Sequence, residues 1–398
     1  MAADPIFYAL PVFFGSILVE AACARVMGKR VYDLQDALTS LNLGTLSQIV
    51  GAFAKLLTFG IYALIYHYFS AHLWPTGGLL AWAAALLFYD FCYYWLHRMG
   101  HEVGVLWAAH VVHHSSEYYN LSTALRQTST GPLLSWIFYT PMALIGVPPG
   151  MFITVALIDL LYQYWVHTEL IGRCGVLDYI LVTPSNHRVH HGQNDYCIDR
   201  NYGGILILWD RLFGTFADER ADEKIVYGVR KQLASFNPIW GNLHVYRDLW
   251  QESRTAPTWR AKIGVWFAPP GGWRDGPVPH FDTSLFSRFA PAVPMSFQFY
   301  VLFQFVLASI ATSAFMRGDS GLPREELALI VVASLFCQGG LLQGAPWARW
   351  VEGARLAAVM ALGFTMGVVA PWVVGASVVS LGWFWVGASG RRDPAVVQ

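Results

Sequence analysis

Long apolar runs dominate this chain and restrict what it can become. The first extends from Ile6 to Val26, the next two from Leu46 to Phe69 and from Leu79 to Leu96. A pair follows, Pro132 to Val147 and Met151 to Val166, joined by the turn Gly146-Val147-Pro148-Pro149-Gly150. Phe297 to Met316, Leu327 to Leu342, Leu356 to Trp372 and Val373 to Val386 close the chain. A helix needs about 20 apolar residues to cross a bilayer. In hydrocarbon every backbone polar group must be satisfied within the protein, and runs of this length without strict alternation do so as helices. The expected fold is therefore all-α, a polytopic integral membrane helical bundle with about nine apolar runs. The short paired runs suit either a full or a re-entrant hairpin. The first run follows Asp4-Pro5 with no basic segment before it and no small-residue cleavage site, so it reads as a span and not as a removed signal peptide.

Composition narrows the classes further. Charged residues make up 13%, half of the roughly 25% usual in soluble domains. Lys+Arg and Asp+Glu are both 26, so no basic domain offers a nucleic-acid footprint. An aromatic content of 15% excludes disorder. Cys23, Cys92, Cys174, Cys197 and Cys337 are scattered and odd in number, forming neither CxxC pairs nor a disulfide framework. No internal repeat is visible.

Basic residues orient the bundle. Arg25, Lys29 and Arg30 follow the first run, Arg98 the third, Arg349 and Arg355 the seventh, and Arg391 and Arg392 the last. In a nine-span plan all fall on one side, which the positive-inside rule makes cytoplasmic. Arg317 and Arg324 lie opposite, beside Asp319, Glu325 and Glu326. The N-terminus would then be outside and the C-terminus inside. The chain reads as one membrane-embedded domain, 1–398. A histidine-box catalytic core spans 79–216, a mostly cytoplasmic, histidine-rich helical cap 168–296, and C-terminal transmembrane helices 297–390. Within the cap, Pro269 to Pro279 reads as a surface loop.

The thirteen histidines are unusual, and most are clustered. His97 and His101 form one box, His110, His113 and His114 a second, His187, His190 and His191 a third, and His167 stands between the last two. Residues three or four apart share a helical face. Three helical segments therefore aim eight imidazoles at one centre, and His167 makes a ninth. A single ion takes fewer ligands than that; two ions with four or five each would use them all. Imidazole suits Fe, Cu, Zn and Ni, and an all-histidine two-ion site at a membrane surface suits iron and O2 chemistry. His67, His72, His244 and His280 lie outside the boxes and are read as non-ligands.

Neighbouring polar residues complete the candidate site. Asp90 lies seven residues before His97 on the same face, and Asp159, Gln163 and His167 repeat every four residues. Acids within apolar runs usually line a functional interior, and Asp90 and Asp159 could accept the second N–H of metal-bound histidines. Helix–helix hydrogen bonding is the plainer role for both. Gln163 could approach a metal. Glu102 could support His101, meet a cofactor or stand in solvent. Tyr118, Asn120, Asn201 and Tyr202 follow the boxes and are expected near the site, against the alternative that these stretches only form turns.

The box spacings, with Tyr89-Asp90-Phe91-Cys92-Tyr93-Tyr94-Trp95-Leu96-His97-Arg98, resemble the fatty acid hydroxylase and sterol desaturase superfamily of membrane di-iron enzymes. His101-Glu102, Trp107-Ala108-Ala109-His110, His113 through Gln127, Leu161 through Glu169, and Thr183-Pro184-Ser185-Asn186-His187 with Trp209-Asp210-Arg211-Leu212-Phe213-Gly214 resemble the alkylglycerol monooxygenase family within it. The likeness covers residues 85–235. Asn186 departs from the pattern, where a further histidine is expected. The resemblance implies two iron ions held by the nine histidines, O2 as co-substrate, and tetrahydrobiopterin as reductant near Glu102, Tyr118 and Asn201. Asp90, Asp159 and Glu102 would assist catalysis. It implies hydroxylation of the carbon beside the ether bond of a membrane lipid, releasing a fatty aldehyde. The chain carries no dinucleotide fingerprint or haem motif, so an external electron donor is required. A fatty acyl, sterol or amino-lipid hydroxylase or desaturase is the nearest alternative. A metal-handling membrane protein is a remote one, because its ligands belong near the bilayer midplane on broken helices. The membrane would be a bacterial inner membrane or the endoplasmic reticulum.

Overall fold

The computed structural model describes residues 5–75, 77–272, 279–318, 322–365 and 371–389. Asp319, Arg391, Arg392, part of the loop from Pro269 to Pro279 and residues 366–370 of the eighth apolar run lie outside them. Among the described residues the fold is helical, with two isolated β-bridges, Leu181 to Leu206 and Gly192 to Tyr227, and no strand.

Sixteen α-helices occur in the described residues. They are α1 (Pro5–Val26), α2 (Leu34–Phe69), α3 (Leu79–Glu102), α4 (Gly104–Ala108), α5 (Val111–His114), α6 (Leu121–Ala124), α7 (Pro132–Ile145) and α8 (Pro149–Trp165). Then come α9 (Pro184–His190), α10 (Leu208–Phe213), α11 (Pro238–Thr255), α12 (Trp259–Phe267), α13 (Met295–Arg317), α14 (Arg324–Leu342), α15 (Ala348–Thr365) and α16 (Pro371–Ser389). Among the described residues each apolar run falls on a helix, except that the eighth is divided between the end of α15 and the start of α16. By length and composition α1, α3, α13 and α14 can cross a bilayer. The two arms of α2, Leu34–Ala54 and Leu57–Phe69, meet at 41° and make a fifth candidate. Helices α7 and α8 and the segment Gly375–Phe384 of α16 are apolar but shorter.

Two boundaries differ from the expected ones, for physical reasons. Helix α2 starts at Leu34, not Leu46, because the Asp33 carboxylate accepts hydrogen bonds from the amides of Gln35 and Asp36 and caps the exposed donors of the first turn. Helix α3 runs past Leu96 to Glu102. His97 and His101 therefore ride on the last turns of a membrane span.

The chain divides into two compact units, 10–233 with 240–288, and 1–9, 234–239 with 289–398. In the first, α2, α3, α7 and α8 share a core of Tyr62, Ala81, Ala85, Tyr89, Tyr139, Met142, Phe152 and Val155. Ala81 and Ala85 are nearly solvent-free, and such small residues let membrane helices approach closely. Tyr62 stacks on Phe152 with ring centroids 4.1 Å apart, and Tyr89 on Tyr139 at 4.6 Å. Gly146 closes α7 at φ +105°, and a Cβ there would come within 2.9 Å of the His72 backbone. Only glycine tolerates both the left-handed turn and that approach.

The second unit is organised around a buried ion pair. Arg355 binds Glu352 through two hydrogen bonds of 2.6 and 2.7 Å, and also reaches Gln304 at 2.9 Å and Ser334 at 3.1 Å. Tyr300 donates to the same carboxylate, and Gln304 donates to Ser380 at 2.7 Å. The network joins α13, α14, α15 and α16. Removing one partner of such a pair strands a buried charge. Glu352→Ala should lower stability by about 3–5 kcal/mol, read as an earlier denaturant midpoint in detergent.

Candidate metal centre

Nine histidines converge, and they do so as two groups. His97, His101, His110, His114 and His190 place one ring nitrogen each within 4.8 Å of one another, and His113, His167, His187 and His191 do the same. The boxes do not each face one centre. His110 and His114 join the first group while His113, between them, joins the second; His187 and His191 join the second while His190 joins the first. At 3.6 residues per turn, positions four apart differ by about 40° around the axis, and the residue between them points about 60° to the other side. Helices α5 and α9 thus each feed both groups. His167 reaches the second group from just beyond the end of α8.

Backbone carbonyls decide which ring nitrogen faces inward. The Nδ1 of His97 lies 2.8 Å from the Tyr202 carbonyl, that of His113 2.9 Å from Arg126, that of His167 2.8 Å from Gln163, and that of His190 2.9 Å from Arg200. A carbonyl only accepts, so each Nδ1 carries the proton and each Nε2 keeps a lone pair. In the group of four, the Nε2 atoms of His113 and His167 stand 3.4 Å apart. Two lone pairs facing each other repel; a cation between them reverses the sign. His187 Nε2 lies 3.1 Å from His167 Nε2 and 3.2 Å from His191 Nε2. In the group of five, the Nε2 atoms of His97, His101 and His190 are buried without a hydrogen-bond partner. Burial pushes His110, His114, His167, His187, His190 and His191 well below the usual histidine range, and His113 to about 4. These rings are therefore neutral at physiological pH, the form that binds a metal. Five and four nitrogen donors, with unsatisfied lone pairs turned inward, fit two transition-metal ions.

The acids expected to meet histidines act one layer further out. Asp90 accepts the amides of Ile205 at 2.7 Å and Leu206 at 3.1 Å and the Trp209 indole at 2.9 Å. It fixes the loop whose Tyr202 carbonyl holds His97. Asp210 assists by accepting the amides of Tyr202 and Gly203, both at 2.8 Å. Asp159 accepts the Gln163 amide at 2.6 Å, while the Gln163 carbonyl oxygen takes the Tyr93 hydroxyl at 2.6 Å. The Gln163 side chain is thereby engaged away from the histidines, and its backbone oxygen serves His167. The loops after the second and third boxes bring the carbonyls of Arg126, Arg200 and Tyr202 to His113, His190 and His97, and the last turn of α8 brings that of Gln163 to His167.

Glu102 pairs with Arg98 at 2.9 Å and remains about one-third exposed. Arg288 lies 4.1 Å over the Tyr118 ring. Asn201, expected near a cofactor, fastens backbone on either side of the third box and its loop. At φ +58° and fully buried, it donates to the carbonyls of Asn186 and Ala217 and accepts the Ala217 amide. Both polar atoms of its side chain are engaged in holding the loop beside Arg200. Tyr202 lies beside the group of five, its ring centroid 5.3 Å from His101. Asn120 caps α6. Asn186 accepts from Thr183 at 2.7 Å and donates to the Asp178 carbonyl, so the departure from the family pattern falls at the base of α9 and outside both groups. His67, His72, His244 and His280 belong to neither group.

Several supports escaped the sequence reading. Arg126, whose carbonyl holds His113, is almost wholly buried and pairs with Asp36 of α2 at 2.9 Å. Arg188 forks onto Glu219 at 2.8 and 2.7 Å and also donates to the carbonyls of Thr168 and Ile171. This clamps α9 to the segment after His167. Glu20 of α1 accepts from Tyr32, Thr168 and, at 2.8 Å, the Leu121 amide. Its signal was available: it is the only acid in the first apolar run.

Gly204 sits where a Cβ would meet Asp159 Oδ1 at 2.7 Å, Tyr93 at 2.8 Å and Asp90 Oδ1 at 2.9 Å. Gly204→Ala should cost about 1–3 kcal/mol by overpacking, measured as a lowered unfolding midpoint. Asp90→Ala, which frees the loop behind His97, should weaken metal retention about 10–100-fold, measured by chelator competition on folded protein.

Residues 82–215 match the fatty acid hydroxylase family. The chain is 43% identical over 274 residues to alkylglycerol monooxygenase of Homo sapiens, covering 69% of this chain and 61% of the human one. It is 38% identical over 367 residues to alkylglycerol monooxygenase of Danio rerio, covering 89% and 81%. It is 29% identical over 182 residues to an ornithine lipid hydroxylase of Rhizobium tropici, covering 43% and 52%. No solved structure matches. With two histidine groups at the end of a membrane span and a relative aligned over most of both chains, this chain belongs to the alkylglycerol monooxygenase family of membrane-bound oxidoreductases.

Proposed function

We propose that this chain is an O2-dependent lipid monooxygenase whose nine histidines hold two iron ions. The carrying observation is the convergence of two sets of neutral imidazoles, two rings of each set anchored through Nδ1 on backbone carbonyls with their lone pairs turned inward. His97, His101, His110, His114 and His190 would hold one ion, and His113, His167, His187 and His191 the other. Iron would supply the reductive activation of O2.

The names of the relatives support an alkylglycerol substrate. One oxygen atom enters the C–H bond beside the ether oxygen, and the other leaves as water with two electrons and two protons from an external donor. The hemiacetal then breaks its carbon–oxygen bond to give a fatty aldehyde and a free glycerol hydroxyl. The chain's own contribution is geometric. It keeps the imidazoles neutral by burial and fixes each anchored ring by its carbonyl. The lipid chain would lie among the spans with its head group at the histidine end of α3. The basic residues Arg25, Lys29, Arg30 and Arg98 favour the cytoplasmic side for that end.

Tetrahydrobiopterin would be the electron donor. Glu102, partly exposed beside His101, would offer a carboxylate to the amino-pyrimidine edge of a pterin, and Tyr118, whose ring carries Arg288 on one side, would bring an aromatic and a cation to it. An amino-lipid hydroxylase is a second reading, favoured by the likeness to the Rhizobium tropici enzyme.

The test supplies iron-loaded protein with an alkylglycerol, O2 and tetrahydrobiopterin and measures fatty aldehyde. Aldehyde should appear, require the pterin, and fall more than about 100-fold in His190→Ala, beyond the loss typical of a ligand's outer support. Full activity in a correctly inserted His190→Ala protein would overturn the site. Absence of aldehyde from diferrous protein that instead hydroxylates an amino lipid would transfer the assignment to the second reading.

A further inference from the structure

Helix α12 carries an apolar stripe that the fold leaves uncovered. Trp259, Ile263 and Phe267 recur every four residues and are 80%, 60% and 64% exposed, while Val265 is buried on the other side. The spacing places all three on one face about 80° wide. This helix lies in the stretch expected to be cytoplasmic and beyond the residues that match the fatty acid hydroxylase family.

Its height relative to the membrane is fixed by packing. The Gly104 amide, two residues past the end of the span α3, donates to the Ala268 carbonyl at 2.8 Å. A Cβ at Gly104 would meet Ala268 O at 3.0 Å, Trp266 O at 3.2 Å and Leu249 at 3.3 Å. The C-terminal end of α12 is therefore pressed against the point where α3 ends. Its charges match the place. Arg260 and Lys262 are the only ionisable residues on α12, and Lys262 Nζ lies 5.2 Å over the Trp259 ring. Thr258 caps the helix by accepting the Ala261 amide at 3.1 Å, so its start is fixed within the chain.

We propose that α12 lies in the plane of the bilayer interface, with Trp259, Ile263 and Phe267 inserted among the acyl chains and Arg260 and Lys262 on anionic lipid head groups. An apolar face bordered by basic residues, with an aromatic at one end, is what an interfacial helix uses. The partner is a lipid surface because the stripe sits at the end of a span and both charges on its own helix, Arg260 and Lys262, are positive. Seated there, α12 sets the bilayer boundary beside α4, the helix between the first and second histidine boxes.

The test uses the full chain in nanodiscs, with Cys23→Ser and Cys174→Ser to remove the cysteines that are not buried. Ile263→Cys, Phe267→Cys and, as a solvent reference, Asp222→Cys each carry a nitroxide, and metal content confirms folding. Collision with O2 and with a water-soluble nickel chelate reports depth. Positions 263 and 267 should read about 5–10 Å below the head groups, and 222 should read open water. Adding Lys262→Glu should make both labels shallower in nanodiscs containing phosphatidylglycerol and leave them unchanged in pure phosphatidylcholine. Nickel-chelate access at 263 and 267 equal to that at 222 would overturn the proposal. So would a spin–spin distance between two chains showing that a second copy covers the stripe.

Discussion

Four hydrogen bonds from histidine Nδ1 to backbone carbonyls are the interaction on which the rest of this structure depends. Each assigns a tautomer, aims a lone pair and removes a rotamer, for His97, His113, His167 and His190. A carbonyl is positioned only if its peptide is, so the surrounding polar residues hold backbone in place. Asp90 and Asp210 grip the loop that bears Tyr202, Asn201 the peptide beside Arg200, and Asp159 the side chain of Gln163. Glycine at 204 is the corollary, since the loop passes too close to both membrane-span acids for any side chain.

This arrangement explains why charges are buried where the chain could have used apolar residues. Arg126 with Asp36 and Arg188 with Glu219 tie the histidine-bearing segments to α2 and to the loop beyond α9. A buried pair is weak evidence for stability, but it specifies one register between elements. Converging lone pairs are unfavourable in the protein alone, and metal binding offsets that cost, so assembly of the centre and folding of its neighbourhood are linked.

Much of this was legible in the sequence. The apolar runs located the helices, because hydrocarbon leaves the backbone few options. The nine histidines were identifiable from spacing, whereas their division into five and four depends on how the segments that carry them pack together. What spacing could not supply was long-range: the carbonyl partners come from residues 105, 13 and 10 positions away for His97, His113 and His190. Asp90 shares a face with His97, yet the intervening loop intercepts it. Asn201 is polar beside a box, and spacing did not show that its side chain fastens the peptides of Asn186 and Ala217 from a left-handed backbone. Helix α12 was hidden because nine residues are too few to stand out as an apolar run.

The most direct test of the central claim is the position and identity of the metals. Cryo-EM of the iron-loaded protein, paired with X-ray absorption at the iron edge, would locate them. Two iron ions are predicted, one bound by His97, His101, His110, His114 and His190 and the other by His113, His167, His187 and His191, all with nitrogen ligation. A single ion shared between the groups, or iron bound by Asp90 or Asp159, would contradict the account.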